Sequence, residues 1–443
     1  WAPSLRYHEG TFYLMFAAND TGTTYLYRAS SIEGPWEKSV IAGFYHDGSL
    51  LFDEDRVYVA YGNREIRLTE LEADLSGPKE DGLDRILIRE SDDNHFLGYE
   101  GSHLQKIRGR YYLFNIHSLP DRWMRTQSCF SAASLTGEFT GGDILCDDLG
   151  YFGQGIAQGG IVDTPEGKWY GIFFQDRGGA GRMPMILPIT WKGDQPVIGE
   201  GGIAPTEIEI GVCAPDPSNP VSGYRSLFGS DDFKTEDLKP YWQWNHEPET
   251  GLVSYGKNTE GLTLRTDRVC DRMDLSVNTL TQRLILPRCS GTVTVSGKDL
   301  KTGDRAGLGI LCEEYTYLAL EKTETGTDLI YVAIKGGCGQ QEDPGEQTET
   351  PDDTAKILQR IPLDTERGET VVIRTEVSSF APVGNVTYAW KDEEEEEFRP
   401  LPFCAQLRFT LKHFVGGRFA LFAYSTKAPG GSAAFRDFTY ESK

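Results

Sequence analysis

Two carboxylates in the first half of the chain have surroundings that suggest chemistry. Glu100 lies in the segment YEGSHL and Asp47 in the segment FYHDGSL, and each segment directly precedes a predicted β-hairpin. The glycine after Glu100 lets another group approach that carboxylate closely. One protonated acid beside ionised carboxylates is the arrangement that glycoside hydrolysis needs. Capping or turn acids are the alternative interpretation of both residues.

The hairpins that follow these acids belong to a pattern that occurs four times. Each copy has a short strand, a tight turn and a strand with alternating aromatic residues: RYHEGTFYLMFA, FDEDRVYVAYG, KIRGRYYLFNI and DTPEGKWYGIFF. This pattern is typical of one blade of a β-propeller, although aromatic hairpins also occur in other large β-proteins. Asp47 and Glu100 each stand just before the first strand of their hairpin, so a propeller would bring both carboxylates near its axis. Carboxylates that are crowded there have pKa values that move apart from one another.

The second half of the chain has a different pattern. Gly, Pro, Ser and Asp are crowded in residues 199–232, and we place a domain boundary near Ser226. Beyond it, segments such as LTLRT, GTVTVSG and RFALFAYS alternate tightly between turns, which predicts an antiparallel β-sandwich. The predicted domains are 1–225 and 226–443, and since helical periodicity is hard to find, the fold class is all-β.

Composition excludes several classes of partner and site. The 443 residues contain 44 Lys and Arg against 67 Asp and Glu, a net charge of −23, without the basic stripe that a nucleic-acid-binding protein needs. No apolar run approaches the roughly 20 residues of a membrane-spanning helix. The eight cysteines form no C-x-x-C pair, and HExxH and phosphate-loop motifs are absent. These features favour a neutral partner.

Several ordered segments resemble glycoside hydrolase family 43, close to its β-xylosidases and α-L-arabinofuranosidases. They are WAPS, HDGSLLFDEDRVYVAYG, YEGSHLQKIRGRYYLF and AQGGIVDTPEGKWYGIFFQDRGGAGRMPMILPITW. The second domain resembles that group's concanavalin A-like β-sandwich through LFGSDDF, YWQWNH, NTLTQR and GDRAGLGIL. The resemblance implies a five-bladed β-propeller. About 225 residues at roughly 50 per repeat supply four blades, so we expect the first blade to be incomplete in this chain.

The resemblance also implies an activity. It is an inverting exo-glycosidase that releases terminal xylosyl or arabinofuranosyl units from xylo-oligosaccharides or arabinoxylan fragments. Glu100 matches the general acid and Asp47 the carboxylate that modulates the pKa of that acid. The general base, an aspartate, is expected upstream of Trp1. A non-catalytic carbohydrate-binding protein of the same fold is the alternative, and secretion would suit a protein that degrades plant polymers.

Four further residues are implied to bind the sugar. Trp1 matches the aromatic residue beside the bound sugar, Arg182 matches an arginine that reaches its hydroxyl groups, and His46 adjoins Asp47. Gln158 stands where many family members have a histidine, sometimes associated with a metal ion. No cofactor is required, and the resemblance allows a structural calcium ion at the propeller axis. Trp1 as an exposed terminus and Arg182 as a salt-bridged loop residue are the alternatives.

Overall fold

The computed structural model describes residues 2–209, 226–285, 287–334, 355–364, 369–378, 383–408 and 414–443. The chain divides into two compact units, Trp1–Asp176 with Met183–Ile210, and Arg177–Arg182 with Gly211–Lys443. The predicted boundary near Ser226 stays a prediction. Throughout the described ranges, no helix has both the length and the apolar character needed to cross a bilayer.

The first part of the chain forms a β-propeller. Its described residues make four antiparallel sheets, each with four strands in which sequence neighbours pair. These blades are β1 (Ser4–His8), β2 (Thr11–Ala18), β3 (Thr23–Ala29) and β4 (Glu37–Ile41); β5 (Ser49–Asp53), β6 (Arg56–Tyr61), β7 (Glu65–Leu71) and β8 (Asp84–Arg89); β9 (Glu100–Ile107), β10 (Arg110–Ser118), β11 (Arg125–Ala132) and β12 (Thr140–Leu145); β13 (Ala157–Asp163), β14 (Trp169–Asp176), β15 (Arg182–Lys192) and β16 (Gln195–Ile198). The predicted fold class is confirmed as all-β with propeller blades, whereas the count of five blades is not confirmed.

The four predicted hairpins are the first two strands of the four blades. Two of their turns have both central residues in the left-handed region, Glu9–Gly10 with φ of 45° and 81° and Arg108–Gly109 with φ of 50° and 81°. Such two-residue turns match the twist of the strands they join. Apolar residues fill the space between successive blades, including Leu26 with Val59, Leu68 with Leu113, and Phe114 with Phe173.

The first strands of successive blades lie next to one another, so β5 stands between β1 and β9. Two buried serines connect them. Ser4 Oγ accepts a hydrogen bond from the backbone N–H of Leu50 at 3.2 Å, and Ser49 Oγ accepts one from Leu104 at 3.0 Å. These lateral bonds fix the start of β5 beside the start of β9, where the two predicted carboxylates stand.

The second unit is a β-sandwich of two seven-stranded sheets, with strand orders β17-β20-β29-β22-β23-β24-β25 and β18-β19-β30-β21-β26-β27-β28. The strands are β17 (Gln243–Trp244), β18 (Val253–Ser254), β19 (Leu262–Arg265), β20 (Leu280–Arg283), β21 (Arg288–Asp299), β22 (Asp304–Leu311), β23 (Thr316–Lys322), β24 (Thr327–Ala333), β25 (Lys356–Pro362), β26 (Thr370–Ser378), β27 (Gly384–Asp392), β28 (Arg399–Leu407), β29 (Arg418–Ser425) and β30 (Ser432–Ser442). Short 3₁₀ helices occupy Gly178–Ala180, Thr250–Leu252 and Met273–Leu275. The predicted sandwich is confirmed.

Blade 3 (β9–β12) contains a buried histidine between two carboxylates. His117 Nδ1 lies 2.8 Å from Glu90 Oε2, and His117 Nε2 lies 2.7 Å from Asp143 Oδ1. Although burial lowers it, hydrogen bonds to Asp143 and Glu90 raise the pKa of His117 to about 9. The imidazole ring packs 4.5 Å from the ring of Tyr99. A cationic His117 therefore holds the residue that directly precedes Glu100.

A second buried charge pair joins blades 3 and 4. Arg125 on β11 and Asp176 at the end of β14 form an ion pair, and their side chains are 5% and 1% exposed. Removing one partner of a buried pair leaves the other charge without compensation, which costs far more than losing an exposed pair. This pair is therefore expected to matter for the stability of the propeller.

We expect Asp176→Ala to lower the free energy of unfolding of the propeller by about 3–5 kcal/mol, because Arg125 stays buried without its carboxylate. Asp84→Ala is the matched control, since it removes the exposed partner of Arg67 and should cost at most about 1 kcal/mol. Denaturant titration of the three proteins checks this. Equal losses in the two variants would contradict the assignment.

The pKa of His117 also predicts how stability depends on pH. Because this pKa is higher in the folded protein than in the unfolded chain, the contribution of His117 is complete below about pH 6.5 and is lost as the pH rises to about 9. We therefore expect the difference in unfolding midpoint between the wild type and His117→Gln to shrink between about pH 6 and about pH 10. A difference that grows with pH would contradict the assigned charge.

Candidate active site

The structure brings the two predicted carboxylates together with His46. His46 Nε2 lies 3.8 Å from Glu100 Oε2 and 3.9 Å from Asp47 Oδ2. The side chain of Asp47 is buried, whereas those of Glu100 and His46 are 21% and 22% exposed. We call these three residues the acid cluster. Only its buried member is shielded from water, so Glu100 can meet a ligand from solution.

Backbone contacts hold the acid cluster at the start of β9. Asp47 has a φ of 47°, a left-handed conformation that Asp tolerates better than most residues. Its carbonyl oxygen accepts a hydrogen bond from Ser102 N at 3.2 Å, and the carbonyl oxygen of His46 accepts one from Gly62 N at 3.0 Å. The loop before β5 is thereby attached both to β9 and to the loop after β6.

Asn63 is a site residue that the sequence reasoning missed. Its Nδ2 donates a hydrogen bond to Glu100 Oε2 at 2.6 Å, across 37 positions of sequence. The backbone N–H of the next residue, Arg64, donates to the carbonyl oxygen of Tyr99 at 2.8 Å. The sequence does contain one signal: Asn63 follows β6, the second strand of a hairpin. In a hairpin the second strand ends beside the start of the first, so Asn63 lies at the same end of its blade as Asp47.

Gly101 lets Gln158 approach the backbone next to Glu100. Gly101 has a φ of +62°, and a Cβ atom at this position would lie 2.5 Å from Gln158 Cγ. Gln158 itself has a φ of 56° on β13. The glycine noted in the sequence therefore allows a close approach, and the group that approaches is the amide side chain of Gln158 from the next blade.

Two other predicted residues are not placed in the acid cluster. Trp1 lies outside the described residues. Arg182 belongs to the second compact unit, where its backbone N–H donates to the carbonyl oxygen of Phe414 at 3.0 Å. Its guanidinium carbon lies 4.2 Å from the centroid of the Phe414 ring. The sugar-binding roles of Trp1 and Arg182 stay predictions.

The charges of the acid cluster act on His46. The adjacent Glu100 carboxylate raises the pKa of His46 above its usual value, and the charge of Asp47 adds to this effect against the lowering by burial. Of the three groups in the acid cluster, His46 is therefore the one whose charged form its neighbours stabilise.

The acid cluster is also the group of described side chains close enough to share a metal ion, with donor atoms within 4.8 Å of one another. Two carboxylates and one imidazole nitrogen do not match the about six to eight oxygen ligands that calcium takes. The structural calcium ion that the resemblance allows at the propeller axis stays a prediction.

Three similar proteins are informative. A putative β-xylosidase of Xylanibacter ruminicola is 29% identical, over 70% of this chain and 57% of its own length. A non-reducing end α-L-arabinofuranosidase of Bacteroides ovatus is 21% identical, over 73% of this chain and 62% of its own length. A solved structure of a bifunctional GH43-CE protein of Bacteroides eggerthii is 35% identical with a TM-score of 0.81, covering 100% of this chain and 54% of that one. This chain thus spans little more than half the length of these relatives.

Two family models match consecutive parts of the chain. Residues 1–196 match the glycosyl hydrolases family 43, which covers the blades except for the last two residues of β16 and includes all three residues of the acid cluster. Residues 230–441 match the concanavalin A-like C-terminal domain of β-xylosidases, which covers the sandwich. The chain therefore belongs to glycoside hydrolase family 43 and carries the C-terminal domain of that family's β-xylosidases.

Proposed function

We propose that this chain is part of an exo-acting glycosidase that releases terminal xylosyl or arabinofuranosyl units from xylan-derived oligosaccharides, with Glu100 as the general acid. One observation carries the proposal: a partly exposed carboxylate at the start of β9 stands beside a buried carboxylate and a histidine. Membership of family 43 supports the reaction class. Relatives named β-xylosidase and α-L-arabinofuranosidase support the two sugars.

In this proposal, the contacts to Glu100 favour one of its oxygens as the proton donor. Asn63 Nδ2 donates to Oε2, and His46 Nε2 is also nearest to Oε2. An oxygen that already accepts a hydrogen bond is poorly suited to carry a proton as well, so Oε1 is the donor in this proposal. Its proton passes to the glycosidic oxygen as the bond from that oxygen to the sugar carbon breaks, and the leaving group departs as an alcohol.

Asp47 is the modulating carboxylate in this proposal. A carboxylate oxygen of Asp47 lies within 4.8 Å of one of Glu100, so a charge on Asp47 acts on the proposed acid at short range. Asp47 is buried and adjoins His46, so its charge acts over a short distance with little screening. Inverting hydrolysis additionally uses a general base on the opposite face of the sugar, where a water molecule attacks and gives up its proton.

His46 and Gln158 are proposed to contact the sugar. His46 is partly exposed between the two carboxylates, and Gln158 lies against Gly101 beside the acid. Both side chains can hydrogen-bond to hydroxyl groups, whose positions are similar in a xylosyl and an arabinofuranosyl unit. Activity on both sugars is consistent with such a site.

We expect Glu100→Gln to lower kcat on xylobiose by roughly 10²- to 10⁴-fold, because the amide cannot donate the proton that this poor leaving group needs. The loss on an aryl β-D-xyloside with an acidic phenol should be much smaller, since that leaving group departs without protonation. Glu54→Gln is the matched control, because Glu54 is exposed in the turn between β5 and β6. It should retain the activity of the wild type on both substrates.

Two outcomes would count against this proposal. An equal loss on both substrates in Glu100→Gln would show that Glu100 is not the acid. Binding of xylobiose without hydrolysis by the wild-type protein, measured by calorimetry and product analysis, would favour the non-catalytic carbohydrate-binding protein instead.

A further inference from the structure

Exposed aromatic side chains are concentrated at one end of the blades. In the described part of the chain, five Phe, Tyr or Trp side chains are strongly exposed, from 38% for Trp123 to 64% for Tyr7. Phe44, Phe96, Trp123 and Phe152 lie in loops at the end where the first strands begin, as Glu100 does. Tyr7 lies near the opposite end, before the turn at Glu9–Gly10. Clustered exposed aromatic groups mark binding surfaces more often than scattered ones do.

Three of these residues surround blade 3, whose first strand begins with Glu100. Phe96 lies in the loop between β8 and β9, Trp123 between β10 and β11, and Phe152 between β12 and β13. In an antiparallel meander these three loops meet at the same end of the blade. We call Phe96, Trp123 and Phe152 the aromatic surface.

Hydrogen bonds attach the loop of Phe96 both to blade 3 and to the acid cluster. The buried Asn94 accepts from the backbone N–H of Phe96 at 3.0 Å and donates to the carbonyl oxygen of Ser118 at 2.8 Å. Arg64 donates to the carbonyl oxygen of Asn94 at 2.7 Å through Nη2. Arg64 directly follows Asn63, and Asn63 donates a hydrogen bond to Glu100. Through Arg64 and Asn94, the loop of Phe96 is therefore held in place relative to the proposed acid.

The two other loops are held in a similar way. The guanidinium carbon of the buried Arg125 lies 5.2 Å from the centroid of the Trp123 ring, and Arg125 is paired with Asp176. The backbone N–H of Arg125 donates to the carbonyl oxygen of Gly153 at 3.1 Å, directly after Phe152. The indole of Trp123 is thus supported by a buried ion pair, while part of the indole stays open to water. Because this support already orients the ring, less side-chain entropy is lost when a ligand binds to it.

We propose that the aromatic surface binds the leaving-group side of an extended, neutral xylan-derived chain, so that the protein favours oligosaccharides longer than a disaccharide. This inference rests on the proposed function. Glu100 gives its proton to the leaving oxygen, so the released chain lies on the side of blade 3. Sugar rings have apolar C–H faces that pack on aromatic rings. The net charge of −23 disfavours an anionic polymer.

The test compares xylohexaose with xylobiose. The quantity compared is kcat/KM for xylohexaose divided by kcat/KM for xylobiose, here called the ratio. We expect Trp123→Ala and Phe152→Ala each to lower this ratio by roughly three- to tenfold, because each removes one aromatic contact with the longer chain. Trp123→Phe should retain most of the ratio. Tyr7→Ala is the matched control, since it removes an exposed aromatic residue at the opposite end of the blades, and its ratio should equal that of the wild type.

Misfolding and failure of the proposed function can be told apart from failure of this inference. Trp123 contacts Arg125, so Trp123→Ala could disturb folding; Phe152→Ala leaves that buried pair intact and is the second variant. If Trp123→Ala and Phe152→Ala both still hydrolyse xylobiose and both have an unchanged ratio, this inference is overturned and the proposed function is not. If the wild type hydrolyses neither sugar, the proposed function fails. In that case calorimetry tests the inference by measuring binding. The inference requires the wild type to bind xylohexaose more tightly than xylobiose and Phe152→Ala to lose this preference.

Discussion

The attachment of β5 to β9 is the constraint on which the candidate site depends. Ser49 Oγ accepts from Leu104 N, and the carbonyl oxygen of Asp47 accepts from Ser102 N. These two bonds fix the start of one first strand against the next, and the carboxylates of Asp47 and Glu100 follow from that placement. A displacement of either strand would move the two carboxylates apart and break up the acid cluster.

The blades and the acids could be predicted because both are local features. A tight turn between strands with alternating aromatic residues defines a hairpin from about a dozen neighbouring residues, and the structure has these hairpins in all four blades. The two acids were found because each directly precedes such a hairpin. The sandwich was predictable for the same reason, from tight alternation in segments such as those of β19, β21 and β29.

Contacts between residues far apart in sequence could not be predicted. Asn63 reaches Glu100 across 37 positions; its place after the second strand of a hairpin predicts the end of the blade at which it lies, but not its partner. Gly101 was recognised as permissive, but only the structure shows Gln158 as the group that approaches it. Arg182 follows a glycine-rich loop that reads as part of the propeller, yet Arg177–Arg182 groups with the second unit.

The central claim is that Glu100 stands where the glycosidic oxygen of a substrate binds. The most direct measurement is a crystal structure of Glu100→Gln with xylotriose bound. The account predicts that a glycosidic oxygen lies about 3 Å from the side chain at position 100, within hydrogen-bond reach, with the terminal sugar against His46. Xylotriose bound elsewhere, with no glycosidic oxygen near that side chain, would contradict the account.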